Sequence, residues 1–235
     1  MTCRPLPYLC HNRGMHTIQK QILARLTFHP GLRYSEIKPT EMEGNLFTYH
    51  LNLLIKNDLI AKTGEHLYDL SPHGRRYVDK LSLKHFRPRV QPKIVTLIVC
   101  KNDKNEYLLY KRHHQPFYGM CGFPYGKTHL GENLVTAATR ELTEKTDLVA
   151  HLTHRGDVYL VINDQGELLA HMLCHIFTTS RLKGALRPQT TMGKCFWAKL
   201  PLTNGQLMPG VMEIYNLLRK HKSTQKFWAE YRLDM

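Results

Sequence analysis

The sequence predicts an α+β protein built from two domains. A chain of 235 residues is long for one domain and comfortable for two of ordinary size. Up to about residue 83 the apolar residues recur mostly at helical spacing, whereas strand-like runs dominate from Lys93 onward. With 42% hydrophobic and 9% aromatic residues, the chain can bury real cores, which excludes global disorder.

Charge and hydropathy narrow the function classes. The formal net charge of +14 fits polyanionic partners, nucleotides included, and the surplus is spread along the chain. The longest apolar runs, such as residues 94–100, are far shorter than the ~20 residues that a membrane span needs. No charged-then-apolar segment opens the chain, so we expect a cytoplasmic protein without a membrane partner.

Residues 1–14 show no periodicity and predict a disordered leader, with Met15 as an alternative start. The chain has six cysteines and no CxxC pair. Four of them lie in apolar or strand-like stretches, namely Cys100, Cys121, Cys174 and Cys195. We expect these four to be reduced core thiols rather than disulfide-bonded cysteines or zinc ligands. A metal site that includes Cys3, Cys10 and His11 is the alternative.

The first domain is predicted to begin with a helix that has Thr17 as its candidate N-cap. A His-Pro-Gly sequence at 29–31 ends this helix, and a short helix over 32–38 follows. The apolar residues of the first helix recur at helical spacing, so we expect them in the core. They are Ile18, Ile22, Leu23 and Leu26.

Residues 45–60 predict a third helix, two short strand-like runs flank Gly64, and Ser71 with Pro72 begins a final helix. This order is that of a winged helix-turn-helix. The stretches EGNLFTYHLNLLIKNDLI and LYDLSPHGRRYV resemble the winged-helix DNA-binding domains of bacterial and archaeal regulators. The resemblance implies a domain at 15–83 with double-stranded DNA as its partner. Since many such regulators are dimers, it also raises the expectation of a homodimer.

The third helix is predicted to have a core face and a DNA face. The expected core residues are Leu46, His50, Leu53 and Leu54. The opposite face offers amide, hydroxyl and basic side chains, which suit base edges and phosphates in a major groove; these are Asn45, Thr48, Tyr49, Asn52 and Lys56. The alternatives are a plain solvated face and a domain that associates with RNA or protein.

Residues 84–92 are predicted to be a basic linker. The segment 84–93 carries five basic side chains, two prolines and no acidic residue. Beyond it the pattern changes to strand-like runs at 93–100 and 106–112, joined by a turn. We therefore place the second domain at 93–235.

A spaced motif follows these strands. Gly126 is followed after five residues by Glu132 and, after seven more, by Arg140, Glu141, Leu142, Thr143 and Glu144, with Leu148 at the end. This pattern resembles the signature of the Nudix hydrolase family, G-x5-E-x7-R-E-U-x-E-E-x-G-U, where U is a bulky aliphatic residue. The resemblance covers residues 93–220 and implies an α/β/α sandwich with a mixed sheet.

The motif predicts a helix that begins near Asn133 and carries two carboxylates away from its apolar face. Glu141 and Glu144 lie about 60° apart, since each residue turns about 100°, and the small Ala137 lies between them. Two such carboxylates can hold a hard cation such as Mg2+ or Mn2+. The apolar face, expected in the core, consists of Leu134, Val135, Ala138 and Leu142.

The resemblance also assigns roles within the motif. It implies that Glu141, Glu144 and Arg140 are catalytic, and that the Gly126 carbonyl joins Glu141 and Glu144 around the metal. Glu132 is expected to pair with Arg140 and hold the shape of the loop and helix.

Two positions depart from the family pattern. Lys145 stands where the family has a Glu that is a principal metal ligand, which predicts a weakened metal site. The alternative is that the long lysine stem carries its ammonium away to solvent. Asp147 replaces a glycine expected in the left-handed region, which Asp tolerates, and it could supply a replacement carboxylate.

Residues outside the motif complete the predicted site. Arg112, at the end of the second strand, and Lys127, beside Gly126, are candidates for binding substrate phosphates. Asp164 or Glu167 could supply another acid, with a plain hairpin turn as the alternative.

These expectations combine into two function hypotheses. The first is a weakened metal-dependent hydrolase of a nucleoside diphosphate linked to another moiety, coupled to a DNA-binding domain. The alternative is a catalytically impaired domain that senses a nucleotide metabolite for a transcription regulator.

Overall fold

The computed structural model describes residues 15–64, 66–203 and 206–235. The chain divides into two compact units, Met1–Val90 and Gln91–Met235. Within the described ranges, no helix is both long and apolar enough to cross a membrane. The predicted leader, with its candidate metal ligands, lies outside the described residues.

The first unit combines helices with an antiparallel sheet of strand order β1-β3-β2. The helices are α1 (Thr17–Phe28), α2 (Tyr34–Ile37), α3 (Gly44–Lys56) and α4 (Pro72–Asp79). The strands are β1 (Leu32–Arg33), β2 (Ile60–Thr63) and β3 (Leu67–Leu70). The predicted order of elements is present, and the short strand β1 is an addition that the sequence pattern did not indicate.

Helix α1 begins one residue earlier than predicted, because its N-cap is His16 and not Thr17. His16 Nδ1 accepts a hydrogen bond from the Ile18 backbone N–H at 3.3 Å. Gln19 Oε1 accepts one from the His16 backbone N–H at 3.1 Å, which completes a capping box. The predicted core residues Ile18, Ile22, Leu23 and Leu26 are all buried.

The core face of α3 differs from the predicted one. Leu46 is 44% exposed and Leu53 is only half-buried, so both were wrongly placed in the core. The residues of α3 that are buried are Phe47, His50, Leu51 and Leu54. Phe47 packs edge-on against Tyr34, with ring centroids 5.1 Å apart. The buried stripe keeps His50 and Leu54 but is turned by roughly 65° from the predicted one, at ~100° per residue.

The second unit has two helices in its described part, α5 (Leu134–Thr146) and α6 (Val211–Lys220). A five-stranded mixed sheet has the order β14-β9-β10-β4-β7, a four-stranded sheet has the order β12-β13-β5-β6, and β11 pairs with β8. The strands are β4 (Lys93–Cys100), β5 (Tyr107–Arg112), β6 (Cys121–Gly122), β7 (Tyr125–Lys127), β8 (Val149–Ala150), β9 (Thr153–Asp164), β10 (Glu167–Thr179), β11 (Leu182–Lys183), β12 (Gln189–Thr190), β13 (Gly193–Ala198) and β14 (Phe227–Asp234).

Helices α5 and α6 cover opposite faces of the mixed sheet. Alternate residues of β4 show this, since side chains of a strand point to opposite faces in turn. Val95 and Leu97 pack in one core cluster with Ile214 of α6, whereas Ile98 packs in another with Leu142 of α5. The predicted mixed sheet is confirmed by the parallel pairs of β4 with β10 and of β9 with β14.

The cysteines in the described residues are buried core thiols, as predicted. Cys100, Cys121, Cys174 and Cys195 are all free. Burial raises the pKa of Cys100 and Cys174 to about 12, so these thiols remain protonated at neutral pH.

Candidate active site at helix α5

Helix α5 is capped at both ends, and its buried face packs on the sheet. The Asn133 side chain accepts a hydrogen bond from the Thr136 N–H at 2.9 Å. At the other end Asp147 takes a left-handed conformation with φ of 59°, as the sequence predicted. The predicted core position Val135 is exposed. The buried stripe runs instead through Ala137, Ala138 and Leu142 to Glu141, which therefore faces the sheet.

Gly126 and Glu141 meet where α5 crosses β7. A Cβ atom at position 126 would overlap the carboxylate carbon of Glu141. Only glycine leaves the space that this carboxylate fills. Two of the three predicted metal ligands are therefore brought together, with the Glu141 side chain only 8% exposed.

Arg140 connects the acidic residues of the motif. Its Nε and Nη2 atoms lie 2.9 Å from the two carboxylate oxygens of Glu132, so the predicted pairing is present and bidentate. Its Nη1 donates to Glu141 Oε1 at 2.7 Å and lies 3.3 Å from Glu144 Oε2. Hydrogen bonds from Arg140 and from the His129 N–H lower the pKa of Glu132 to about 2.

Lys145 does not carry its ammonium away to solvent. Its Nζ forms an ion pair with Glu141 Oε2, one helical turn back. Because Arg140 binds Oε1 of the same carboxylate, each oxygen of Glu141 is paired with a cation of the chain itself.

These residues do not fit a tightly held divalent cation. Mg2+ requires several oxygen ligands in near-octahedral geometry. Gly126, Glu141 and Glu144 retain such donors, but an ion would have to displace the Lys145 ammonium from Glu141. Glu144 is 59% exposed and does not line the adjacent cleft.

A cleft of about 380 Å3 opens beside Glu141. Its charged lining is cationic apart from Glu141, which is its one acidic side chain among the residues that the structure describes. The basic lining residues are Lys93, Arg112, His114, Lys127, His129 and Lys145. Such a surface is complementary to a polyanionic ligand.

Arg112 is the most unusual residue of this cleft, because it is only 6% exposed and pairs with no carboxylate among the described residues. Its Nη1 donates to the Tyr125 hydroxyl at 2.5 Å, and its Nη2 lies 2.8 Å from His114 Nδ1. In the same described part of the chain, its Nε is buried without a partner. Burying a guanidinium without a counter-charge is energetically unfavourable. An anion bound in the cleft would offset this cost.

The other predicted acids do not reach the cleft. Asp147 pairs with Arg187 at 3.0 Å, and Asp164 and Glu167 flank the β9–β10 turn. None of these three lines the cleft.

Cleft residues that the sequence did not indicate include His114 and Tyr125. A signal was available for His114, since a polar segment directly follows β5.

The predicted DNA face of α3 is mostly exposed. Asn45, Tyr49, Asn52 and Lys56 are exposed, whereas Thr48 is half-buried. The Thr48 hydroxyl hydrogen-bonds to the Tyr34 hydroxyl at 2.8 Å, which makes it less available to a partner. Contact with DNA remains a prediction for this face.

Comparison with known proteins agrees with the motif in the second unit. Residues 91–207 match the family model described as the NUDIX domain. An ADP-ribose pyrophosphatase of Methanocaldococcus jannaschii is 27% identical over 125 residues, which cover 52% of this chain and 72% of the relative.

Two solved structures are among those similar to this chain. The mutator MutT protein from Bacillus halodurans is 22% identical with a TM-score of 0.49, over 60% of this chain and 89% of that one. The NUDIX domain of Shewanella oneidensis NrtR, complexed with ADP ribose, is 20% identical with a TM-score of 0.49, over 62% of this chain and 96% of that one.

Proposed function

We propose that this chain, whose residues 91–207 match the NUDIX domain model, binds a nucleoside diphosphate linked to another moiety and holds it without efficient hydrolysis. The ligand binds in the cationic cleft beside α5. The observation that carries this proposal is the ion pair of Lys145 with Glu141. It places an ammonium against the carboxylate that a catalytic metal ion would need.

Charge magnitudes support binding over turnover. At ~4 Å and a surface-like effective dielectric constant, one unit charge interacts with another by about 4 kcal/mol before screening. Exchanging the expected glutamate for Lys145 moves the local charge by two units, which disfavours a divalent cation. The same exchange favours the phosphates of a ligand, since Lys145 lines the cleft together with Lys93 and Arg112.

ADP-ribose is the probe that we choose for the ligand class, because the relative from Methanocaldococcus jannaschii is named for it. We expect ADP-ribose to bind in the presence of EDTA, with no metal ion available. Isothermal titration calorimetry measures this binding. Arg112→Gln should weaken this binding at least about tenfold, since a charged hydrogen bond contributes about 1.5–3 kcal/mol.

Arg155→Gln is the matched control, because Arg155 is equally buried and does not line the cleft. Its affinity for ADP-ribose should equal that of the unmodified protein. Absence of binding with and without Mg2+, or equal losses in both variants, would contradict the proposal.

The partner of the first unit is proposed to be double-stranded DNA, contacted by the exposed face of α3. Lys56→Ala should weaken DNA binding. It should also make the negative slope of log affinity against log salt shallower by about 0.9, the value expected for one lost phosphate contact. Lys80→Ala removes another exposed lysine, at the end of α4, and should leave the slope unchanged. No gel shift of any genomic fragment at low salt would rule out this partner.

A weakened hydrolase is the second candidate function. The bidentate pairing of Arg140 with Glu132 and the retained Glu141 and Glu144 favour it. Under this candidate, Mg2+ or Mn2+ supports slow turnover, and Glu141→Gln abolishes it.

A further inference from the structure

A second group of potential ligand atoms lies on β9 and β10. His175 is the cross-strand partner of Asp157, and its Nδ1 lies 2.6 Å from Asp157 Oδ1. His154 Nε2 lies 2.9 Å from the same oxygen. The three ligand atoms are all within 4.8 Å of one another, and each of the three side chains is partly exposed. An ion could therefore reach the group from solvent.

The group is separate from the Glu141 carboxylate of the cleft. His175 pairs with Thr96 of β4, and Thr96 pairs with Gly126 of β7. Two strand spacings of ~4.8 Å therefore put about 10 Å between His175 and Gly126. None of the three residues lines the cleft.

A β-bulge brings His154 to this group. In a regular strand, residues three apart point to opposite faces. Here the pairing shifts, so that Ile176 faces Gly156 while Phe177 faces His154. Arg155 therefore has no paired residue on β10. Such a bulge changes the face to which the neighbouring side chain, His154, points.

Glycine is required at position 156 by this arrangement. Gly156 has φ of 150°, and a Cβ there would overlap the Phe227 carbonyl oxygen. The convergence of His154 with Asp157 is thus built into the backbone.

The chemistry of the donors selects the class of ion. Two imidazole nitrogens and one carboxylate suit Zn2+ and its transition-metal neighbours, whereas Mg2+ prefers oxygen ligands alone.

We propose that His154, Asp157 and His175 form a binding site for a divalent transition-metal ion, of which Zn2+ fits best. Ligand bonds of about 2.0–2.2 Å place neighbouring donor atoms slightly farther apart than their present hydrogen-bond distances. The side chains need only small rotations to admit the ion. Three protein ligands leave a fourth tetrahedral position open to water.

Trp228 provides a local reporter for this site. It is the β14 partner of Asp157 and is 67% exposed. Since the chain has two tryptophans, Trp197→Phe leaves Trp228 as the only one. We expect Co2+ to quench its fluorescence with one-to-one stoichiometry, in the presence of excess Mg2+, and Zn2+ to reverse the quenching by competition.

Histidine variants in the Trp197→Phe background test the assignment. His154→Gln and His175→Gln should each weaken Co2+ and Zn2+ binding at least about tenfold. His171→Gln is the matched control, since His171 lies on the same strand and face as His175 but outside the group, and its affinity should be unchanged. No quenching at millimolar Co2+, or quenching that persists equally in both ligand variants, would overturn the proposal.

Discussion

Lys145→Glu is expected to increase metal-dependent hydrolysis of ADP-ribose by at least about 100-fold over the unmodified protein. The change removes the ammonium that pairs with Glu141 and adds a third carboxylate one turn along α5. Lowering the activation free energy by about 2.7 kcal/mol gives a 100-fold higher rate. This energy is well below the electrostatic change available, which is about 4 kcal/mol for each of the two unit charges before screening. Nucleotide release with Mg2+ and with Mn2+ measures the effect.

Two further variants separate charge from ligand chemistry. Lys145→Gln removes the ammonium without supplying a carboxylate, so it should produce a much smaller increase. Lys199→Glu makes the same two-unit change at an exposed position outside the cleft and should produce none. Turnover in the unmodified protein that Glu141→Gln abolishes, with Lys145→Glu no faster, would favour the weakened hydrolase instead.

The parts of the site that depend on short-range geometry could be predicted from the sequence. Helical periodicity puts Glu141 and Glu144 on adjacent arcs, and the motif spacing anticipates the pairing of Glu132 with Arg140, which is observed. The left-handed conformation of Asp147 follows in the same way from its place after a helix. In each case the determining neighbours lie within about ten residues along the chain.

Features set by distant neighbours could not be predicted. The rotamer of Lys145 depends on the carboxylate that packs over Gly126, a contact that exists only once β7 and α5 have met. Helix α3 carries apolar side chains around more than half of its circumference, so its periodicity alone does not distinguish Leu46 from Phe47. The packing of Phe47 against Tyr34 comes from another helix. The approach of His154 to Asp157 requires a bulge, which leaves no period in the sequence.

Gly126→Ala is expected to lower the free energy of unfolding by about 1–3 kcal/mol, the usual cost of overpacking. The new Cβ would take the space of the Glu141 carboxylate, which must then leave its ion pairs with Arg140 and Lys145. Chemical denaturation of the full-length protein measures this cost.

A double-mutant cycle locates the origin of the Gly126→Ala effect. In a Glu141→Ala background the carboxylate is gone, so adding Gly126→Ala should cost less than about 0.5 kcal/mol, the limit within which independent sites add. Ala137→Gly serves as the control change in both backgrounds, because it alters α5 without filling the space over Gly126. An equal cost of Gly126→Ala with and without Glu141 would show that the carboxylate is not the reason for glycine at this position.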